Sequence, residues 1–365
     1  MLRRTIGPLI ARGVDVAFAG ALLAMCAPRA ASAQAFLPPA GEGNVTVYYQ
    51  ESLTRGHVNN FGELVDEESS QAHSLMLDAE FGLSKRLAVN VSLPFIVTRF
   101  LGPFRAEKLH NPLTDLDDGT YHGTFQDFRV AVRFNVLPRP IAITPFVEAV
   151  VPSHHYVSLG HSVAGPDLRS LALGAAVGGF ADAILPGLYY QSQFSYTLVE
   201  EVLDIRTNRS RVDSEVGYFV TPRLALRFLA GFQRTHDGLD KVYTRETIGL
   251  PGTILFQVHS RPGDSLTIEA LLNRTEAFLN HDRLLRSGYL TLGGGITFAV
   301  TDSLDIFAAA SNMVWERNVH PLRALSVGAN WHFRMHRAAL PASSQRTGRA
   351  MAPRSNVHWT PPAFH

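Results

Sequence analysis

The chain has 365 residues, 46% of them hydrophobic and 18% charged, with a formal net charge of +1. A mean hydropathy of +0.03 is too low for a bundle of transmembrane helices, each needing about 20 consecutive apolar residues, and too high for a disordered chain. The near-neutral balance leaves no basic footprint for nucleic acid, so a soluble all-β or mixed domain and a membrane β-barrel are what remain.

The first residues carry Arg3, Arg4 and Arg12, then an apolar run from Val14 to Ala27 broken only by Asp15, then Ala31-Ser32-Ala33 before Gln34. A basic start, an apolar stretch and a small-x-small site predict a secretory signal peptide over residues 1–33. Cys26, the single cysteine, falls inside it. The exported remainder would therefore rely on packing and backbone hydrogen bonds and on no disulfide.

Beyond Gln34 the chain alternates with period two, in segments of roughly 9 to 13 residues, which is the strand signature. Phe128, Val130, Val132, Phe134 and Val136 share one face, with Arg129, Ala131, Arg133 and Asn135 on the other. Val212, Ser214, Val216, Tyr218 and Val220 oppose Arg211, Asp213, Glu215, Gly217 and Phe219. The stretches from Leu224 to Gln233 and from Tyr289 to Val300 alternate in the same way.

Tight turns are legible at residues 84–86, 138–140, 185–187, 221–223, 261–264 and 301–303, each with Pro, Gly, Asp or Ser chemistry suited to reversal or with a short polar reach. Longer polar links fall at 53–70, 101–125, 153–168, 200–209, 235–252, 274–286 and 314–322. Short turns alternating with long loops predict an all-β fold, a transmembrane antiparallel up-and-down β-barrel of about 14 strands, within a range of about 12 to 16. Closure follows because lipid cannot satisfy an open strand edge.

The last strand alternates Leu325, Val327, Ala329, Trp331 and Phe333 with Ser326, Gly328, Asn330 and His332. An aromatic end of this kind is how outer-membrane barrels present themselves to the assembly machinery, an expected partner here along with outer-membrane lipid and lipopolysaccharide. Residues 334–365 follow, with Arg334, Arg337, Arg346, Arg349 and Arg354 and no acid, and read as a disordered basic periplasmic tail. The domain reading is thus signal peptide 1–33, barrel 34–333 and tail 334–365, in the outer membrane of a Gram-negative bacterium. The overall +1 hides about +3 in the signal, −7 in the barrel and +5 in the tail.

Phe36-Leu37-Pro38-Pro39-Ala40-Gly41-Glu42-Gly43 leading into Val45-Thr46-Val47-Tyr48-Tyr49 resembles the start of the bacterial family labelled MetA-pathway of phenol degradation. So do Glu80-Phe81-Gly82-Leu83-Ser84-Lys85-Arg86-Leu87, Val91-Ser92-Leu93-Pro94-Phe95 and Gln126-Asp127-Phe128-Arg129. The resemblance implies an outer-membrane transporter linked to aromatic catabolism. It brings no functional residue with it. A more distant similarity is to the 14-stranded fatty-acid and hydrocarbon channels, whose N-terminal plug has no room here, because only about ten residues separate Gln34 from the first strand. A blocked lumen would then need an inward-folded loop, and residues 101–125 are the longest candidate.

Alternation places Arg129, Arg133, Glu148, Arg211, Asp213, Glu215, Arg227 and Glu269 on the lumen face, with Tyr189, Gln191, Gln193 and Asp305. They can brace the wall or line a substrate path. Gly160-His161-Ser162-Val163-Ala164 has the spacing of a nucleophile elbow but lacks the strand-to-helix setting. His154, His155 and His161 have ligand chemistry, and Asp115, Asp117, Asp118 and Gly119 a calcium-loop flavour without the later Glu. Neither cluster amounts to a metal site, and no cofactor motif is present. The expected function is a non-enzymatic channel for small, hydrophobic or aromatic compounds. A lipid-modifying barrel enzyme, which would need a Ser–His pair at one rim, and an adhesive or structural barrel are the alternatives.

Overall fold

Period-two alternation becomes wall in the computed structural model, which describes residues 35–66, 69–102, 116–247, 256–259 and 280–335. The expected signal peptide 1–33, nearly all of the expected tail 334–365 and Glu269 lie outside these residues. In chain order the strands are β1 (Glu42–Arg55), β2 (Ser69–Gly82), β3 (Leu87–Phe100), β4 (His122–Phe125), β5 (Phe128–Phe134), β6 (Ile141–Val151), β7 (Ser170–Phe180) and β8 (Leu188–Val199). They continue with β9 (Arg209–Thr221), β10 (Leu224–Thr235), β11 (Gly238–Lys241), β12 (Phe256–His259), the short helix α1 (His281–Leu284), β13 (Gly288–Ala299), β14 (Leu304–Arg317) and β15 (Leu322–Arg334).

Thirteen of these strands form one antiparallel sheet that closes on itself through β2–β3, with β1 paired to β15. The halves β4 and β5 pair with successive parts of β3 and count as one wall strand, so the barrel has twelve. Their pairings with β3 differ by one position, because Gln126 and Asp127 bulge inward between them. The shift flips the side-chain parity, which is why Phe125 and Phe128 both belong to the outer face. Glu42 pairs with Arg334 at the seam, in register and through a salt bridge.

Twelve strands fall within the expected range of about 12 to 16, two below its central figure of fourteen. Five of the six tight turns join wall strands, while the sixth, 261–264, lies outside the described residues. Between β10 and β13 the described residues add no strand to the wall: β11 and β12 pair with each other, and Leu239 of β11 bridges to Leu285 just before β13. Residues 254–258 alternate well enough to mimic a wall strand, and alternation does not report which partner a strand will find.

Outward positions are apolar: Val130, Val132 and Phe134 on β5, Leu226 and Phe228 on β10, and Leu325, Val327 and Trp331 on β15 are all exposed. Inward positions are polar and buried, among them Thr46, Gln50 and Ser52 on β1 and Asn90 and Ser92 on β3. This inversion is stable where lipid covers the outside and water or paired groups fill the inside. Among the described residues no helix is long and apolar enough to cross a membrane.

Candidate functional site in the barrel lumen

The expected lumen residues that are described, all but Glu269, lie on the inner face and divide into two groups. One group braces the wall. Arg227 on β10 meets Glu215 on β9 with Nε–Oε1 2.9 Å and Nη2–Oε2 2.5 Å, and Tyr189 on β8 donates its hydroxyl to Glu215 Oε1 at 2.6 Å. Gly217 makes room for this, since a Cβ there would lie 2.1 Å from Tyr189 Cζ. Arg133 on β5 approaches Glu80 on β2 at 3.6 Å across the intervening β3, and His332 Nε2 lies 2.7 Å from Asp305 Oδ2. Buried pairs like these hold neighbouring strands in register, because removing one partner strands the other charge.

The second group lines a chamber of about 90 Å³ against the wall. Arg129, Glu148, Gln193, Arg211 and Asp213 contribute, together with Arg209, whose place at the start of β9 hid it inside a stretch read as loop. Arg211 is held by Asp213 through Nε–Oδ2 2.6 Å and Nη2–Oδ1 3.0 Å. The guanidinium groups of Arg129 and Arg209, in contrast, make no hydrogen bond or ion pair among the described residues. Guanidinium groups with unused donors in a polar chamber can take an anionic or hydrogen-bond-accepting solute.

The long-loop end of the barrel is capped. Val65, Ile205, Leu239, Tyr243, Phe256, Leu284 and Leu285 form the largest buried apolar cluster among the described residues, drawn from three connections. Asn318 ties the cap to the wall by accepting the Lys241 N–H at 2.9 Å and donating to Asp240 Oδ1 at 2.6 Å, while Arg286 pairs with Asp240. Beneath the cap, residues 160–165 turn into the lumen beside Thr98 and Gln126. The pin is Asp117, whose carboxylate accepts the Ser162 N–H at 3.0 Å, the Ser162 hydroxyl at 2.7 Å and the His161 N–H. Burial opposes ionisation of Asp117, yet the bonds from His161 and Ser162 outweigh it and bring its pKa down to about 2. The inward loop is thus 153–168, steadied by a residue of the longer 101–125 connection, whose residues 103–115 lie outside the described set. What holds this loop inside is satisfied polar atoms.

The short-turn end is entered by the segment before β1. Ala35 is fully buried against Ala142 and Ala176, and its carbonyl accepts from the Thr144 hydroxyl at 2.6 Å and from Asn135 Nδ2 at 3.4 Å. The segment before β1 is thereby anchored inside this mouth.

Other candidates disperse. His155 is fully exposed, and His154 bonds Thr124 and Ser153, so neither joins His161. Asp118 binds Thr120 and His122 at the surface, and Asp115 lies outside the described residues, so the calcium-like run does not converge. Ser162 commits its hydroxyl to Leu116 O and Asp117, which removes it as a nucleophile. A different pair, Ser210 Oγ and His236 Nε2, stands 2.8 Å apart at the rim. No carboxylate bonds the other nitrogen of His236 among the described residues, so the third member of a catalytic triad is missing there.

No protein-family model and no curated relative matches the sequence. Solved structures do align with it. An outer membrane channel from Pseudomonas putida F1 is 12% identical with a TM-score of 0.58, over 83% of this chain and 99% of that one. The NanC porin is 8% identical with a TM-score of 0.42, over 78% and 98% of the two chains. The translocator domain of the autotransporter NalP from Neisseria meningitidis is 10% identical with a TM-score of 0.40, over 89% and 95%. The chain has the fold of an outer-membrane β-barrel.

Proposed function

We propose that this protein is an outer-membrane channel that passes small molecules by diffusion through its lumen, with the capped end external and the end entered by residues 35–39 periplasmic. The observation that carries the reading is the chamber, which Arg129 and Arg209, with guanidinium donors that no described residue uses, line together with Glu148 and Asp127. A barrel that only anchored or adhered would gain nothing from such groups. No covalent step or cofactor enters the proposal.

The resemblance to the phenol-degradation family favours aromatic solutes, and the chamber refines that. A wall of arginines, carboxylates, Gln193, Ser195 and Thr197 suits a small aromatic carrying a polar or anionic group better than a bare hydrocarbon, which would leave those groups desolvated and unpaired. Swelling of proteoliposomes in benzoate, benzyl alcohol and a sugar of similar size tests this. Swelling is expected to be fastest in benzoate and to slow severalfold for benzoate alone in the Arg129→Ala, Arg209→Ala double variant. Impermeability to all three solutes, with the protein folded and inserted, would overturn the channel reading; equal rates with and without the arginines would overturn the solute class.

A further inference from the structure

Four connections at the capped end bring together side chains far apart in sequence. His57 follows β1, His161 lies between β6 and β7, Asp282 is in α1, and His320 lies between β14 and β15. His57, Asp282 and His320 each present a ligand atom, and these atoms lie within 4.8 Å of one another. The His57 and His320 rings are 3.9 Å apart between centroids, and His161 stands edge-on to His57 at 5.4 Å. The apolar cap lies beside the cluster, and on the lumen side a cavity of about 70 Å³, lined by His161, Asp282 and His320 with Ser52 and Thr98, gives access to it.

Each imidazole is oriented from behind. His57 Nδ1 lies 2.7 Å from Asp66 Oδ2, and Asp66 Oδ1 accepts the backbone N–H of His57 at 3.0 Å. His320 Nδ1 lies 3.0 Å from the carbonyl oxygen of Gly56. His161 Nδ1 lies 3.3 Å from Asp117. Gly56 has a φ of +61°, and a Cβ there would sit 2.1 Å from Asp66 O, so glycine is what lets this turn close. A carbonyl only accepts, so the Gly56 contact puts the His320 proton on Nδ1 and turns the Nε2 lone pair toward Asp282 Oδ1, 3.4 Å away. In the neutral ring that lone pair faces a carboxylate oxygen, a repulsive contact that either a proton on Nε2 or a metal ion between the two relieves. An imidazole held at one nitrogen by a carbonyl or carboxylate, with the other directed at a shared point, is the arrangement that orients metal-binding histidines.

We propose that His57, Asp282 and His320 form a binding site for a divalent transition-metal ion, which ties three connections together across the mouth of the barrel. This goes beyond the channel reading and does not depend on it. Two imidazoles and one carboxylate suit Zn²⁺, Co²⁺ or Ni²⁺, whereas Ca²⁺ takes six to eight oxygens and Mg²⁺ keeps its waters. Ligand atoms about 2.0–2.1 Å from a tetrahedral zinc are roughly 3.4 Å apart, so the loops need to close by about one ångström. The competing source of charge is internal: Lys241 Nζ lies buried 3.7 Å from Asp282 Oδ1. A cluster balanced by Lys241 and protonated His320 would have no use for a metal.

Calorimetry of the purified folded protein with ZnCl₂ alone, and visible absorption with CoCl₂ alone, separate the two. The proposal expects one equivalent of Zn²⁺ and the intense visible bands of four- or five-coordinate Co²⁺. His57→Ala, Asp282→Asn and His320→Gln should each weaken binding at least tenfold, with heat-modifiable gel migration confirming that each variant is folded. His154→Ala and His155→Ala should bind as the parent does. Absence of saturable binding, only the weak spectrum of octahedral Co²⁺, or binding that survives in His320→Gln would each overturn it. The cobalt spectrum of the unaltered protein decides the matter even where a variant fails to fold.

Discussion

The wall and the cap of this molecule bury opposite things. Along the wall the apolar side chains point out, as Val132 and Phe228 do at 47% and 54% exposure, and the buried positions belong to Thr46, Arg133, Glu215 and Asn330. In the cap the ordinary order returns, with Leu239, Leu284 and Leu285 inside. The apolar content therefore serves two solvents: the wall's fraction is matched to lipid, and the cap's is matched to water. Damage in one region should consequently be read out differently from damage in the other.

The largest effect should come from Arg227→Ala, which leaves the Glu215 carboxylate inside the wall with only Tyr189. A broken buried pair costs roughly 3–5 kcal/mol, so urea unfolding of the bilayer-inserted protein should shift by about that much, and less if lumen water reaches Glu215. Next, Phe228→Arg puts a guanidinium on the lipid face near the middle of β10, at a cost of about 2–4 kcal/mol. If unfolding is unchanged by Phe228→Arg, that face does not meet lipid, and the contrast between wall and cap collapses.

Leu284→Ala tests the other side. Losing the Leu284 side chain from the cap should cost about 2–3 kcal/mol locally, and the barrel's own unfolding midpoint should stay within error. Protease sensitivity of the loops should rise severalfold. A fall in the barrel midpoint equal to that of Phe228→Arg would show that cap and wall unfold as one unit and that the distinction is only geometric.

The same contrast governs how much could be read from the chain. Wall strands announce themselves because each carries its own period, from Phe128 to Phe134 or from Val212 to Val220, and the turns at 221–223 and 301–303 are local chemistry. The two surplus strands came from residues 235–286, where a local pattern has no wall partner. Lumen residues followed from parity, so Arg129, Glu148 and Asp213 were found, while Arg209 was hidden by a strand boundary set a few residues late. The cluster of His57, Asp282 and His320 has no local signal, since His57 lies more than two hundred residues from the other two, which are themselves 38 residues apart, and the three meet only when the barrel closes. His161 drew attention for its chemistry and was grouped with His154 and His155, its neighbours in sequence. Its spatial neighbours are His57 and Asp117, brought in by other loops.

Single-channel recording of the purified protein in a planar bilayer tests the central claim most directly. The account predicts discrete conductance steps in the unaltered protein, larger or more frequent steps when Leu284→Ala loosens the cap, and a shift of ion selectivity toward cations when Arg129 and Arg209 are both changed to alanine. A folded, heat-modifiable protein that inserts and stays electrically silent, in the unaltered form and in Leu284→Ala alike, would contradict it.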